Sequence, residues 1–291
     1  MQASELASWP HHELSRFVDA GGVRWHVQRS GRGPLLLLVH GTGASTHSWR
    51  DLMPILARDY SLLAVDLPGH GFSSAARRAG SSIAGMSEQL GELLRALDVD
   101  PDYCVGHSAG AVILCRLALD GRIAPRRIVG INGAFLPPHG TSRLVFSPIA
   151  QLLARSSVLP RWIARRGGNS GSVARIIEST GSHLDSVGID LYVRLVRDPA
   201  HVAGALAMLS RWNLHAFEKD LPRLATPLTL VVGERDRAVP PAQAFTVQKR
   251  VMQAEVCRLP GLGHLAHEED PLGVAQELAR ICRLRSMHVG T

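Results

Sequence analysis

The sequence predicts an α/β protein built on a doubly wound, mostly parallel sheet, and three observations predict it. Short, continuously apolar runs recur along the 291 residues and end in glycine-bearing turns, as strands covered on both faces do. Segments with apolar residues at helical spacing separate those runs. One long stretch, about 134 to 221, keeps the helical spacing without a convincing buried strand, so a helical insertion interrupts the alternation.

Taken in order, residues 23–28 alternate, with Val23, Trp25 and Val27 on one face. Residues 34–39 are Pro-Leu-Leu-Leu-Leu-Val and run directly into His40-Gly41-Thr42-Gly43. Residues 62–65 repeat the pattern and end at Asp66, which opens Asp-Leu-Pro-Gly-His-Gly. Pro68 and the glycines there mark loop shaping, so Asp66 reads as structural. Strands are also expected over 103–105, 128–131, 228–232 and 255–259, and helices over 86–97, 109–119, 241–252 and 271–283. Within the insertion, Leu136-Pro137-Pro138 and the Arg-Arg-Gly-Gly-Asn-Ser-Gly run at 165–171 read as linker and loop.

Composition narrows the function classes. With 45% apolar and 20% charged residues the chain can bury a sizeable core, which excludes a disordered tail. The formal charge is +7, and only Lys219 and Lys249 among the 32 basic residues are lysines. Guanidinium groups pair with carboxylate or phosphate and stack on flat rings. They are scattered and no nucleic-acid motif accompanies them, so nucleic acid is not expected as a partner. Cys104, Cys115, Cys257 and Cys282 stand alone and read as reduced thiols. No signal segment and no long apolar span is visible, so a cytoplasmic protein with at most peripheral membrane contact is expected.

The chemistry-bearing residues lie at the ends of expected strands. Gly106-His107-Ser108-Ala109-Gly110 is a G-x-S-x-G pattern between a strand and a helix. A serine on so sharp a turn needs glycine on both sides, because a Cβ would strike neighbouring backbone, and the turn lifts Oγ above the sheet. The turn His40-Gly41-Thr42-Gly43 offers backbone N–H groups at the same edge. There the N–H groups of Thr42 and Ala109 would bind a developing oxyanion, an effect of about 3 kcal/mol per donor. Loops after two later strands carry Gly233-Glu234-Arg235-Asp236 and Gly261-Leu262-Gly263-His264. These supply the chain order Ser, Asp, His, with Ser108 as nucleophile, His264 as general base and then acid, and Asp236 as the orienting carboxylate. Glu234 stands as the alternative acid. His264-x-x-His267-Glu268 lacks the spacing of zinc-protease motifs, so no metal and no cofactor is expected and His267 reads as a supporting or solvated residue. His11, His12, His70 and His107 read as surface, loop or elbow-packing residues.

These four ordered motifs resemble the α/β-hydrolase fold family over nearly the whole chain. The resemblance implies an eight-stranded sheet with a helical cap inserted after strand 6, a core of residues 1–133 and 223–291, and a cap of residues 134–222. Ser108 sets the chain apart from the Asp-nucleophile branches, the haloalkane dehalogenases and epoxide hydrolases. Further stretches resemble the α/β-hydrolase-like magnesium-chelatase accessory proteins of bacteriochlorophyll biosynthesis. They include Gly22-Val-Arg-Trp-His-Val-Gln28, His40-Gly-Thr-Gly-Ala-Ser-Thr-His-Ser-Trp49, Leu119-Asp-Gly-Arg-Ile-Ala-Pro125 and His201-Val-Ala-Gly-Ala-Leu-Ala-Met208.

That resemblance implies a role near magnesium insertion into a porphyrin, and a place in chlorophyll biosynthesis for photosynthesis. Two function classes follow. One is a serine hydrolase acting on an ester, lactone or amide of a tetrapyrrole or related small molecule. The other is a binding protein that holds a porphyrin between core and cap, or docks on magnesium-chelatase subunits. Nine arginines and one lysine against six acids give residues 134–222 a charge of +4, suited to porphyrin propionates. His139, His183, His201 and His215 are candidate axial ligands, and Leu144, Phe146, Ile149 and Leu152 are candidate docking positions.

Overall fold

A computed structural model describes residues 1, 3–75, 78–137 and 159–283. Eight strands form one sheet: β1 (Ser15–Ala20), β2 (Val23–Ser30), β3 (Leu35–Val39), β4 (Ser61–Val65), β5 (Tyr103–His107), β6 (Arg127–Ile131), β7 (Leu228–Gly233) and β8 (Ala254–Leu259). Their order is β1-β2-β4-β3-β5-β6-β7-β8, antiparallel at β1/β2 and β2/β4 and parallel elsewhere. The expected mostly parallel, doubly wound sheet is therefore present. The chain leaves β3 toward β4 on one side and returns as β5 on the other, which opens a crevice beyond the carboxyl ends of β3 and β5.

The continuous apolar strands divide their side chains between two cores, as the period of two requires. Leu37 and Val39 join Val23, Trp25, Met86, Leu90 and Ile113 on one face. Leu36 and Leu38 join Trp49, Leu52, Val274 and Leu278 on the other. The described helices are α1 (Ala3–Leu6), α2 (Met53–Leu56), α3 (Ile83–Ala96), α4 (Ala109–Leu119), α5 (Leu159–Gly167), α6 (Ser170–Ser179), α7 (Ser186–Arg197), α8 (Pro199–Ser210), α9 (Leu214–Asp220), α10 (Ala242–Gln248), α11 (Ala266–Glu269) and α12 (Pro271–Arg283). Between β6 and β7 the described residues form α5 to α9 and no strand.

Three expectations need correction. β1 was not expected, because Ser-Arg-Phe-Val-Asp-Ala is a half-solvated edge strand without an apolar run. Residues 165–171 are not a loop: α5 runs to Gly167 and α6 starts at Ser170, with the Asn169 side chain capping α6 through the Ser172 N–H at 2.9 Å. His70 lies in the loop after β4 and His107 packs at the Ser108 turn, as expected, but both are buried, and His267 is buried rather than solvated. His139, Leu144, Phe146, Ile149 and Leu152 lie outside the described residues.

Candidate active site

β5 ends at His107 and α4 starts at Ala109, so the strand-to-helix turn is made by Ser108 alone. That forces φ 49° and ψ −114° on a serine, a region that costs an L-residue about 1–3 kcal/mol. The flanking glycines make the turn possible. A Cβ on Gly106 would stand 2.4 Å from the Ala111 nitrogen, and one on Gly110 would stand 2.2 Å from the Val39 carbonyl oxygen. Neither position can carry a side chain without moving backbone. Ser108 is half-exposed at the carboxyl edge of the sheet.

The β3 turn closes over this serine. A Cβ on Gly41 would lie 3.1 Å from Ser108 Cβ and 2.8 Å from His107 Nδ1. Gly43 takes φ 78°, which turns the chain back and leaves the Thr42 N–H without a partner among the described residues. Ala109, as the first residue of α4, has no helical acceptor for its own N–H. His40 braces the turn from below: its Nε2 accepts from the Leu67 N–H at 2.9 Å and its Nδ1–H donates to the Gly41 carbonyl at 2.7 Å. Burial holds His40 below its ordinary pKa against the opposing pull of Asp66 and that carbonyl, so the neutral form persists.

The β7 and β8 loops bring the remaining two residues together. His264 Nδ1–H donates to Asp236 Oδ2 at 2.8 Å, and Asp236 Oδ1 accepts from the Ala238 and Val239 N–H groups at 2.8 Å each. The Asp236 side chain is fully buried and that of His264 is 12% exposed, so the carboxylate is satisfied while the imidazole keeps an open edge. Glu234 instead pairs with Arg258 at 2.7 Å and takes no part in this arrangement. His107 contributes packing: its ring centroid lies 4.7 Å from that of His264 and 4.6 Å from that of His267. No hydrogen bond joins Ser108 to His264 among the described residues; such bonds commonly tighten only with substrate in place.

A family model described as alpha/beta hydrolase fold matches residues 34–271. The chain belongs to the α/β-hydrolase fold family. Among its relatives is the magnesium-chelatase 30 kDa subunit of Rhodobacter capsulatus, 37% identical over 264 residues that cover 90% of this chain and 92% of that one. The pyrrolizixenacetamide deacetylase of Xenorhabdus hominickii is 29% identical, over 87% of this chain and 92% of that one. An α/β-hydrolase-fold protein from Burkholderia ambifaria superposes with a TM-score of 0.77 at 24% identity, over 92% of this chain and 97% of that one.

In this α/β-hydrolase-fold chain little in the sequence alone marks what supports the candidate site. His201, on α8, accepts from the Gly71 N–H at Nδ1 and donates from Nε2 to the Gly43 carbonyl, both at 3.1 Å. Both nitrogens are thus engaged, which removes it from the candidate axial ligands. Thr42 Oγ1 contacts Met208 Sδ at 3.3 Å, and a Cβ on Gly204 would fall 2.0 Å from the Gly69 carbonyl, so α8 lies against the β3 turn at His201 and Met208 and against the loop after β4 at His201 and Gly204. Asp66 gathers His26 Nδ1–H at 2.7 Å with the Thr46 and Phe72 N–H groups. Burial opposes its ionisation, yet His26 and these donors hold the carboxyl below the usual range. The structural reading of Asp66 is the one its contacts fit. Among the described residues no group of three His, Cys, Asp or Glu side chains is arranged to hold a metal, and no helix is long and apolar enough to cross a membrane.

Proposed function

We propose that the chain is a serine hydrolase that cleaves an ester, lactone or amide through Ser108, His264 and Asp236. The observation that carries the reading is the backbone of Ser108, held in a strained conformation beside the Gly41 turn while an Asp236-anchored imidazole stands at the adjacent loop. His264 removes the Ser108 proton as Oγ bonds to the carbonyl carbon. The resulting oxyanion is received by the Thr42 and Ala109 N–H groups. Collapse breaks the bond to the leaving oxygen or nitrogen, which takes the proton from His264. Water then repeats the sequence and frees the acid and Ser108.

Residues 134–222 act in this reading as a cap over the carboxyl edge of the sheet. α8, which meets the β3 turn through His201 and Met208, carries half-buried Ala203, Ala205, Leu206, Ala207 and Leu209. The substrate in this reading is a small molecule, and the 37%-identical relative favours one from tetrapyrrole metabolism. The family's deacetylase relative is consistent with amide as well as ester scission. A cytoplasmic location suits such a substrate and the reduced cysteines.

One observation favours a second reading, an accessory protein without turnover: the name of that same relative, a magnesium-chelatase subunit. Arg161, Arg165, Arg166 and Arg175 are exposed on α5 and α6, and none pairs with a carboxylate among the described residues. They would receive propionates of a porphyrin or an acidic face of a chelatase subunit. The deciding experiment is intact-protein mass after exposure to a fluorophosphonate. A single adduct on the wild type, absent from Ser108→Ala and His264→Ala, is expected for the hydrolase. A folded wild type that takes no adduct would favour the accessory role.

A further inference from the structure

The loops that carry Asp236 and His264 come from different strands, and the 2.8 Å bond between the two side chains survives only if those loops keep their relative position. A buried residue on a third strand end does this. Asn132 follows β6 directly, with φ 47° and almost no exposure. Its Oδ1 accepts from the Gly233 N–H at 2.8 Å, three residues before Asp236. Its Nδ2 donates one hydrogen to the Gly263 carbonyl at 2.9 Å and the other to the His264 carbonyl at 2.8 Å. The amide orientation is fixed by chemistry, since the reverse would set an oxygen against two carbonyls and a donor against a donor.

We infer that Asn132 is a positioning residue that sets the register between the Asp236 loop and the His264 loop. Two properties of the site require this residue type. The left-handed backbone admits asparagine with little strain, where most other side chains meet a steric penalty. A carboxamide alone among short side chains offers one acceptor and two donors in a plane. Its backbone N–H is also committed, to the Val231 carbonyl at 2.8 Å, so β6 cannot move away from β7. His107 Nε2–H reaches the same His264 carbonyl at 2.9 Å, and the backbone of His264 is therefore held by two buried side chains. Neither Asn132 nor His107 touches the reacting atoms; both act through His264.

The inference rests on the serine-hydrolase reading for its effect on rate, but not for its effect on geometry. Asn132→Asp keeps the shape and the Gly233 bond while turning an oxygen toward two carbonyls. Asn132→Gly accepts φ 47° and removes all three bonds. Two measurements are made on both variants and the wild type: the rate of fluorophosphonate labelling from pH 5 to 9, and the low-field proton resonance of the His264–Asp236 hydrogen bond. Labelling is expected to slow by about 10- to 100-fold at unchanged inhibitor affinity, the loss that a displacement on the order of 1 Å brings. The pH midpoint is expected to move, and the low-field resonance to broaden or vanish. Thermal unfolding identifies a variant that does not fold, in which case the other supplies the result. Wild-type rates, pH midpoint and resonance in a folded variant would overturn the inference. A wild type that resists labelling but shows the resonance, lost on Asn132→Asp, would end the hydrolase reading and leave the role of Asn132 standing.

Discussion

Acidification should unfold this protein over a narrow range, because it buries neutral histidines at an unusual density. His40, His47, His70, His107, His201 and His267 all lie in the interior, and burial holds each below its ordinary value of 6.5. His201 falls to about 4 and His267 to about 3. A group whose folded pKa is depressed in this way binds its proton first in the unfolded chain. Its contribution is complete above 6.5 and is lost as the pH falls toward the folded value. Each such histidine costs about 1.4 kcal/mol per pH unit inside its window. His201 and His267 alone thus remove about 3 kcal/mol each by pH 4, against a total stability of about 5–15 kcal/mol. Glu268 has the opposite sign. Burial lifts it from 4.5 to about 7 despite Arg50 and Tyr192, so it releases a proton on unfolding between those values and stability is lost there as the pH rises. His201 and His267 set against Glu268 leave a net uptake of about one proton near pH 5.5, and the other four histidines add to it in the same direction. Urea midpoints from pH 4 to 8 should therefore climb steeply to about 6.5 and flatten beyond, with His267→Gln reducing the slope by one proton. An uptake below one proton, or an unchanged slope in His267→Gln, would refute the argument.

Ser108→Gly should abolish fluorophosphonate labelling yet raise stability by about 1 kcal/mol, since relief of the strained φ exceeds the entropy that glycine adds to the unfolded chain; calorimetry reads the second effect. Gly110→Ala should destabilise by about 1–3 kcal/mol or more, because its Cβ meets the Val39 carbonyl at 2.2 Å, and labelling should fall with it. Asp236→Asn and His264→Ala should each slow labelling severely, and the double variant should be little worse than the slower single one, as expected of groups that act as a unit. Additive losses would show separate roles.

The parts of the site that could be read in the sequence are those imposed by local geometry. A one-residue turn from strand to helix demands Gly106 and Gly110, and it leaves a pattern that a chain can show without its neighbours. Asp236 and His264 could be singled out because each follows a strand, β7 buried throughout and β8 half-polar, by a few residues. The hairpin of β1 and β2 had a local sign as well, Gly21-Gly22 with φ of 58° and 75° between Ala20 and Val23, though the half-polar β1 hid it. Asn132 and His201 were not legible, for a physical reason. Their importance comes from bonds to residues 101 to 158 positions away in sequence, and a lone asparagine or a helical histidine has no local pattern. That His70 and His267 are buried was not legible on the same ground, since it depends on which segments close over the sheet edge.

The choice between turnover and a purely accessory role also has an energetic side. A scaffold that only held a porphyrin or a partner would be better served by glycine at position 108, which accepts φ 49° freely, and by an uncharged residue at 236. The chain instead holds a strained serine and a buried carboxylate, and it commits two backbone N–H groups and an imidazole to that carboxylate. Around this pair, Asn132 fixes two loops with three hydrogen bonds. His201 ties the β3 turn and the loop after β4 to α8 with one more each. In the hydrolase reading such placement fixes the positions of a nucleophile, a base and two N–H donors, which is what an acyl-transfer transition state rewards and what ligand storage does not. If Ser108→Gly gains stability as expected, the difference measures what the fold gives up to keep an oxygen at that turn.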